Sequence, residues 1–135
     1  MEELIKMTPN PERAVNILQQ VELRLKDANN KNPDEFATLI IEAYYEVIKE
    51  LLTALLAVDG WKTLSHTALI EYLRKEYSKQ FAEHEIQTID ELRKIRNRIA
   101  YEGFLVKKDY YDRKSPIALE IISKLKKLVK ENAVK

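Results

Sequence analysis

Apolar residues recur at helical spacing along most of the chain, and the breaks between periodic stretches divide it into five segments. In the first, Pro11 to Asn29, Ala14, Leu18, Val21 and Leu25 share a face, and Glu12, Arg13, Glu22 and Lys26 fill the rest of the turn. It closes in Asn29-Asn30-Lys31-Asn32-Pro33: asparagine tolerates left-handed backbone, and the residue before a proline avoids the helical region. A second helix is predicted to start close to Asp34. Between Phe36 and Val58 the apolar residues, among them Leu39, Ile40, Ala43, Tyr44, Val47, Ile48, Leu51, Leu52, Leu55 and Leu56, cover more than one stripe. A helix apolar on several sides is packed on several sides, so this one is expected at the centre. Asp59-Gly60 stops it, glycine being the usual residue in the left-handed position after a helix.

Ser65 or Thr67 can cap a third helix with Leu69, Tyr72 and Leu73 as its buried stripe and Tyr77 near its end. A fourth begins near His84; Ile86, Ile89, Leu92, Ile95 and Ile99 keep the period up to Tyr101, and Gly103 terminates it. Phe104 to Lys114 reads as a loop, with Phe104-Leu105-Val106 as a candidate short strand. Ser115-Pro116 reads as the cap and first-turn proline of a fifth helix carrying Ala118, Ile122, Leu125 and Val129 on one face. The expected fold is all-α, an up-and-down bundle of about five helices in a single domain over residues 1–135. No repeat, low-complexity tract or Gly/Ser linker interrupts it.

Composition narrows the chemistry. The 135 residues carry 23 basic and 22 acidic side chains, a net charge of +1, so attraction to a polyanion has to be local. The absence of cysteine removes disulfide scaffolds, thiolate metal sites and cysteine nucleophiles, and two glycines are too few for a phosphate-cradling glycine loop. With two histidines, neither a metal nor another cofactor is predicted. Glu2, Glu3 and Lys6 break any apolar leader, and Glu42, Glu46, Lys49 and Glu50 interrupt the most apolar stretch. The expectation is a cytoplasmic protein without a membrane partner.

The densest chemical cluster is Leu92-Arg93-Lys94-Ile95-Arg96-Asn97-Arg98-Ile99-Ala100-Tyr101, four basic residues within six positions of one helix. Arg93, Asn97 and Tyr101 lie at successive four-residue steps, so one face carries guanidinium groups, an amide and a phenol. Arginine forks match phosphate oxygens at two points and tyrosine stacks on unpaired bases, a combination that suits single-stranded RNA. A solvated charged helix face is the other reading of the same residues.

This stretch, Arg96-Asn97-Arg98-Ile99-Ala100-Tyr101, together with the long apolar helix, the Gly60 break and Ser65-His66-Thr67-Ala68-Leu69, resembles the HEPN domains over roughly Pro11 to Val129. Their signature is an arginine, usually followed by a polar residue, with a histidine a few positions later. The resemblance implies a homodimer pairing through the motif helices, a composite site across the dimer axis and metal-independent RNA cleavage, in some members as toxins paired with small nucleotidyltransferases. It marks Arg96 and Tyr101 as catalytic candidates and Arg93, Arg96, Asn97 and Arg98 as RNA-binding ones.

Tyr101 stands where active members carry histidine. Histidine titrates at about 6.5 and both gives and takes protons at neutral pH, whereas a tyrosine of pKa about 10 is ionised in about a thousandth of molecules at pH 7. Binding with slow or degenerate cleavage is therefore expected, although the neighbouring arginines favour a phenolate. Gly103 occupies the position of the tyrosine that partner enzymes modify in the toxin subgroup, which argues against that control.

His66, just after the candidate cap Ser65, reads as a locally bonded ring without a triad partner, and His84 as exposed. Glu42, Glu46 and Glu50 repeat at four-residue steps, either beside the arginine face or on a solvent stripe, with a salt bridge to Arg93 or Arg98 as an alternative. Glu46 in particular needs a partner if buried. Lys107 to Lys114, alternating charge with aromatics, is either a strand-binding loop or a soluble turn, and the lysines at 124, 126, 127 and 130 read as an ordinary outer face. Three readings stay open: an RNA-binding homodimer, a non-catalytic companion of a small nucleotidyltransferase, and a structural bundle with no ligand.

Overall fold

The structure, a computed structural model, describes residues 3–134. Five helices make the bundle: α1 (Pro11–Asn29), α2 (Pro33–Asp59), α3 (His66–Glu76), α4 (Glu83–Glu102) and α5 (Lys108–Ala133). Short polar signals set the starts. The Asn10 side chain accepts from the Arg13 amide at 3.0 Å and the Asn32 side chain from that of Asp34 at 3.0 Å, each just before a proline whose missing N–H costs a first turn nothing. Ser65 caps α3 through the Ala68 amide at 3.2 Å. Glu85, almost wholly buried, accepts from the Ala82 amide at 3.0 Å while Lys124 of α5 donates to both of its oxygens at 2.9 Å, which ties the start of α4 to α5.

The long apolar helix is the hub. α2 packs against α1, α3, α4 and α5 and buries Tyr44, Tyr45, Val47, Ile48, Leu51, Leu52, Leu55 and Leu56 among them. This is what a multi-striped helix requires, because each face left in water would forfeit about 25 cal/mol for every Å² of apolar surface. Gly60 ends α2 at φ +91°, where only glycine is at ease, and an added Cβ would lie 3.0 Å from the Met7 carbonyl oxygen. A two-stranded antiparallel pairing of β1 (Ile5–Lys6) with β2 (Trp61–Lys62) adds a feature that the helical period did not foretell. It straps the N-terminal segment over the end of α2, with Lys6 above the Trp61 ring at 5.3 Å.

The stretch read as a loop up to Lys114 is the main correction. α5 starts at Lys108, so Ser115 and Pro116 lie inside the helix, and Phe104 to Val106 forms no strand. Tyr110 and Tyr111 turn half-buried onto the bundle while Lys108 pairs with Asp112 one turn on, at 3.1 Å, so the alternation of charge and aromatic is an amphipathic turn. Pro116 is tolerated because it and Asp112, whose carbonyl loses its helical donor, are both exposed, which leaves that carbonyl within reach of solvent. Val106 is buried instead, its N–H donating to the Thr38 hydroxyl at 2.8 Å.

Candidate functional site

The basic run sits on α4 where that helix packs on α2, and its members divide by position. Arg93, Arg96 and Asn97 are half-buried toward the neighbouring helices, whereas Lys94, Arg98 and Tyr101 are exposed. Arg96 Nε lies 3.2 Å from Glu46 Oε1 of α2, and one of its terminal nitrogens lies 3.5 Å from the Asn97 side-chain oxygen. Glu46 also takes Lys49 at 2.9 Å, and Lys49 reaches Glu50 at 3.7 Å. Arg93 Nε donates to Asp90 at 2.9 Å, with Lys94 3.4 Å from the second oxygen. Glu46 therefore meets the arginine face, but through Arg96 rather than Arg93 or Arg98. Arg98 lies 3.9 Å above the Phe104 ring and 3.6 Å from Glu102.

Each guanidinium is thus held in place by a carboxylate, and the charge of the run is largely cancelled locally. What remains is geometry. A half-buried arginine fixed on one edge by Glu46 keeps its remaining N–H donors preorganised for an incoming oxyanion.

His66, the first residue of α3, joins this cluster from a third helix. Its Nδ1 lies 2.9 Å from the Tyr45 hydroxyl of α2. Burial, then the Lys49 and Arg96 cations, hold the imidazole below its ordinary pKa, with Glu46 opposing them in part. Burial likewise pushes the Tyr45 phenol up to about 12 against the lowering pull of Arg93 and Arg96, so this tyrosine keeps its proton. Burial alone would raise Glu46, but the hydrogen bond and charge of Lys49 and the charge of Arg96 outweigh it and hold the carboxylate below its usual range. Asp90 is held low in the same way by Arg93 and Lys94.

The predicted site residues therefore separate. Arg93, Arg96 and Asn97 come together at the α2–α4 seam, and Arg98 lies beside Phe104 at the end of α4. Tyr101 is 80% exposed and makes no hydrogen bond among the described residues, so within one chain it stands apart from the Glu46–Arg96 pair. The sequence marks His66 as a locally bonded ring without a triad partner; its bond runs instead to another helix, to the tyrosine one position before Glu46, and the sequence signal for it is an acid and two tyrosines embedded in the most apolar helix. His84 is exposed, as expected. Among the described residues no group of three or more His, Asp and Glu side chains is placed to hold a metal ion. Among the described residues no helix is long and apolar enough to cross a membrane.

A cleft of about 620 Å³ lined by Val58, Asp59, Tyr77, Gln80, Leu128 and Asn132 holds none of these groups. Part of its polar lining is already engaged: Tyr72 and Tyr77 both donate to Asp59, at 2.7 and 2.8 Å, and Asn132 donates to Tyr77 at 3.1 Å. The chemistry gathers instead at the α2–α3–α4 seam. Compared with family models, curated proteins and solved structures, this chain matches none.

Proposed function

We propose that the chain is a HEPN-like RNA-binding protein whose α2–α4 seam holds a phosphate of single-stranded RNA, with a weak or degenerate metal-independent endoribonuclease activity. The observation that carries this reading is Arg96 itself, half-buried, fixed by Glu46 and flanked by Asn97, Arg93 and Lys49. Arg96 grips the phosphate and, in a cleaving complex, stabilises the charge that builds on it; Arg93, Asn97 and Arg98 add contacts along the strand. Tyr101 stacks on a base or donates a proton, and as a poor base it limits the rate.

The proposed assembly is a homodimer. Tyr101 and Leu105 are 80% and 74% exposed at the end of α4, and a second copy that covers them brings two Arg96 sites together. The same exposed pair supports the second reading, a companion surface for a small nucleotidyltransferase. Incubation with single-stranded RNA in excess chelator, beside Arg96→Ala, decides between them. Retention by the wild type that weakens steeply with salt and falls in the variant is expected; no retention by either protein transfers the assignment to the companion reading.

A further inference from the structure

The imidazole of His66 has one nitrogen engaged and one free. Tyr45 is buried, its hydroxyl has no acceptor among the described residues other than His66 Nδ1, and a buried hydroxyl proton without an acceptor is costly. Tyr45 therefore donates and Nδ1 accepts, which places the proton of the neutral ring on Nε2. Nε2 makes no hydrogen bond to any described residue, and no buried side-chain nitrogen or oxygen among them lacks a partner, so Nε2 is open to solvent. It is an outward donor close to the cations of Lys49, Arg96 and Arg93.

The start of α3 strengthens the same position. Ser65 satisfies the Ala68 amide through its hydroxyl and the Leu69 amide through its carbonyl, at 3.2 Å each, and leaves the amides of His66 and Thr67 without an acceptor among the described residues. Free amides and the positive end of the helix dipole favour an anion there and disfavour an imidazolium. The groups facing the ring from the packed helices are Tyr45, Glu46 and Lys49 of α2 and Arg93 and Arg96 of α4.

We propose that His66 is a third phosphate-binding group of this site, a neutral imidazole that donates Nε2–H to an RNA phosphate oxygen beside Arg96 and Lys49. The inference rests on the RNA-binding reading. It adds that His66 does not replace the missing motif histidine as a base: a free lone pair on Nε2 would require Tyr45 to turn its proton away from its single acceptor. A site of cations and a neutral donor binds a phosphodiester without a group to deprotonate the 2'-hydroxyl, in keeping with slow cleavage.

Two variants and one spectrum test it. His66→Asn keeps an acceptor for Tyr45 near the Nδ1 position and loses the outer donor, whereas His66→Gln keeps a donor near the Nε2 position. Retention of a short single-stranded RNA is expected to weaken about tenfold in His66→Asn and to stay within about twofold of wild type in His66→Gln. Nitrogen NMR of the wild-type ring is expected to show the proton on Nε2 at pH 7. Unchanged retention in His66→Asn, an equal loss in both variants, or a proton on Nδ1 overturns the proposal while the RNA reading stands. Absence of retention by the wild type sinks the RNA reading first, and the phosphate role of His66 with it.

Discussion

Glu46 shows how one residue sets the terms of the site. Its carboxylate takes both Arg96 and Lys49, so it orients the guanidinium and at the same time competes with any phosphate for the two cations. Glu46→Gln is expected to tighten RNA retention and to steepen its salt dependence by about 0.7 in log-log slope for each cation released to the strand. A retention assay across a salt series checks this; weaker binding would show that Glu46 serves the site mainly by holding Arg96 in place. The stability cost is expected to be about 1 kcal/mol or less, since both partners of the ion pair keep roughly a quarter of their side chains in water. That an acid in the most apolar helix needed a partner was legible in the sequence. Which arginine answered it was not, because the choice depends on the rotation of α4 against α2, and helical period leaves that open.

At the scale of elements, the two glycines separate two kinds of constraint. Both have positive φ, +91° at Gly60 and +67° at Gly103, but only Gly60 stands against backbone, whereas Gly103 has nothing within 4 Å of a built Cβ. Alanine at Gly103 is expected to cost about 1 kcal/mol for the left-handed conformation, and alanine at Gly60 about 3 kcal/mol. Thermal unfolding of the two variants checks the order, and equal losses would contradict it. Thr38→Val removes the acceptor of the Val106 amide and is expected to cost about 1–3 kcal/mol by the same measurement. The starts of α1, α2 and α3 and the ends of α2 and α4 were readable because each carries its own local chemistry: asparagine or serine caps, prolines and two glycines. The start of α5 was not, because Lys107 offers no side-chain cap and Pro116 mimics a first-turn proline while sitting in the third turn. The β1–β2 strap was equally silent, being two residues a side and joined across the whole of α1 and α2.

For the whole molecule, burial and charge pairing set the pH range of stability. Glu46, Glu85 and Asp90 are held below their ordinary values, so their pairs stabilise the fold above about pH 4 and lose that contribution as pH falls through the folded values. His66, also held low, adds a loss that begins as pH drops below about 6.5, where the unfolded chain takes a proton the folded ring resists. In the other direction, Tyr44 and Tyr45 are pushed up to about 12, and Tyr72, Tyr77 and Tyr110 are raised as well. Their contribution is complete below about pH 10 and is lost as pH rises through the folded values. The unfolding midpoint is thus expected to be highest near pH 7–9 and to fall on both sides; a midpoint that stays level down to pH 3 would contradict this account.

RNA is proposed to meet this chain at the seam of α2, α3 and α4. Amide NMR of the labelled protein, titrated with a short single-stranded RNA in excess chelator, tests it most directly. Shifts confined to Glu46 and Lys49, His66 and Thr67, and Arg93 to Arg98 are expected. Shifts centred on α1 or α5, or none at saturating RNA, would contradict it.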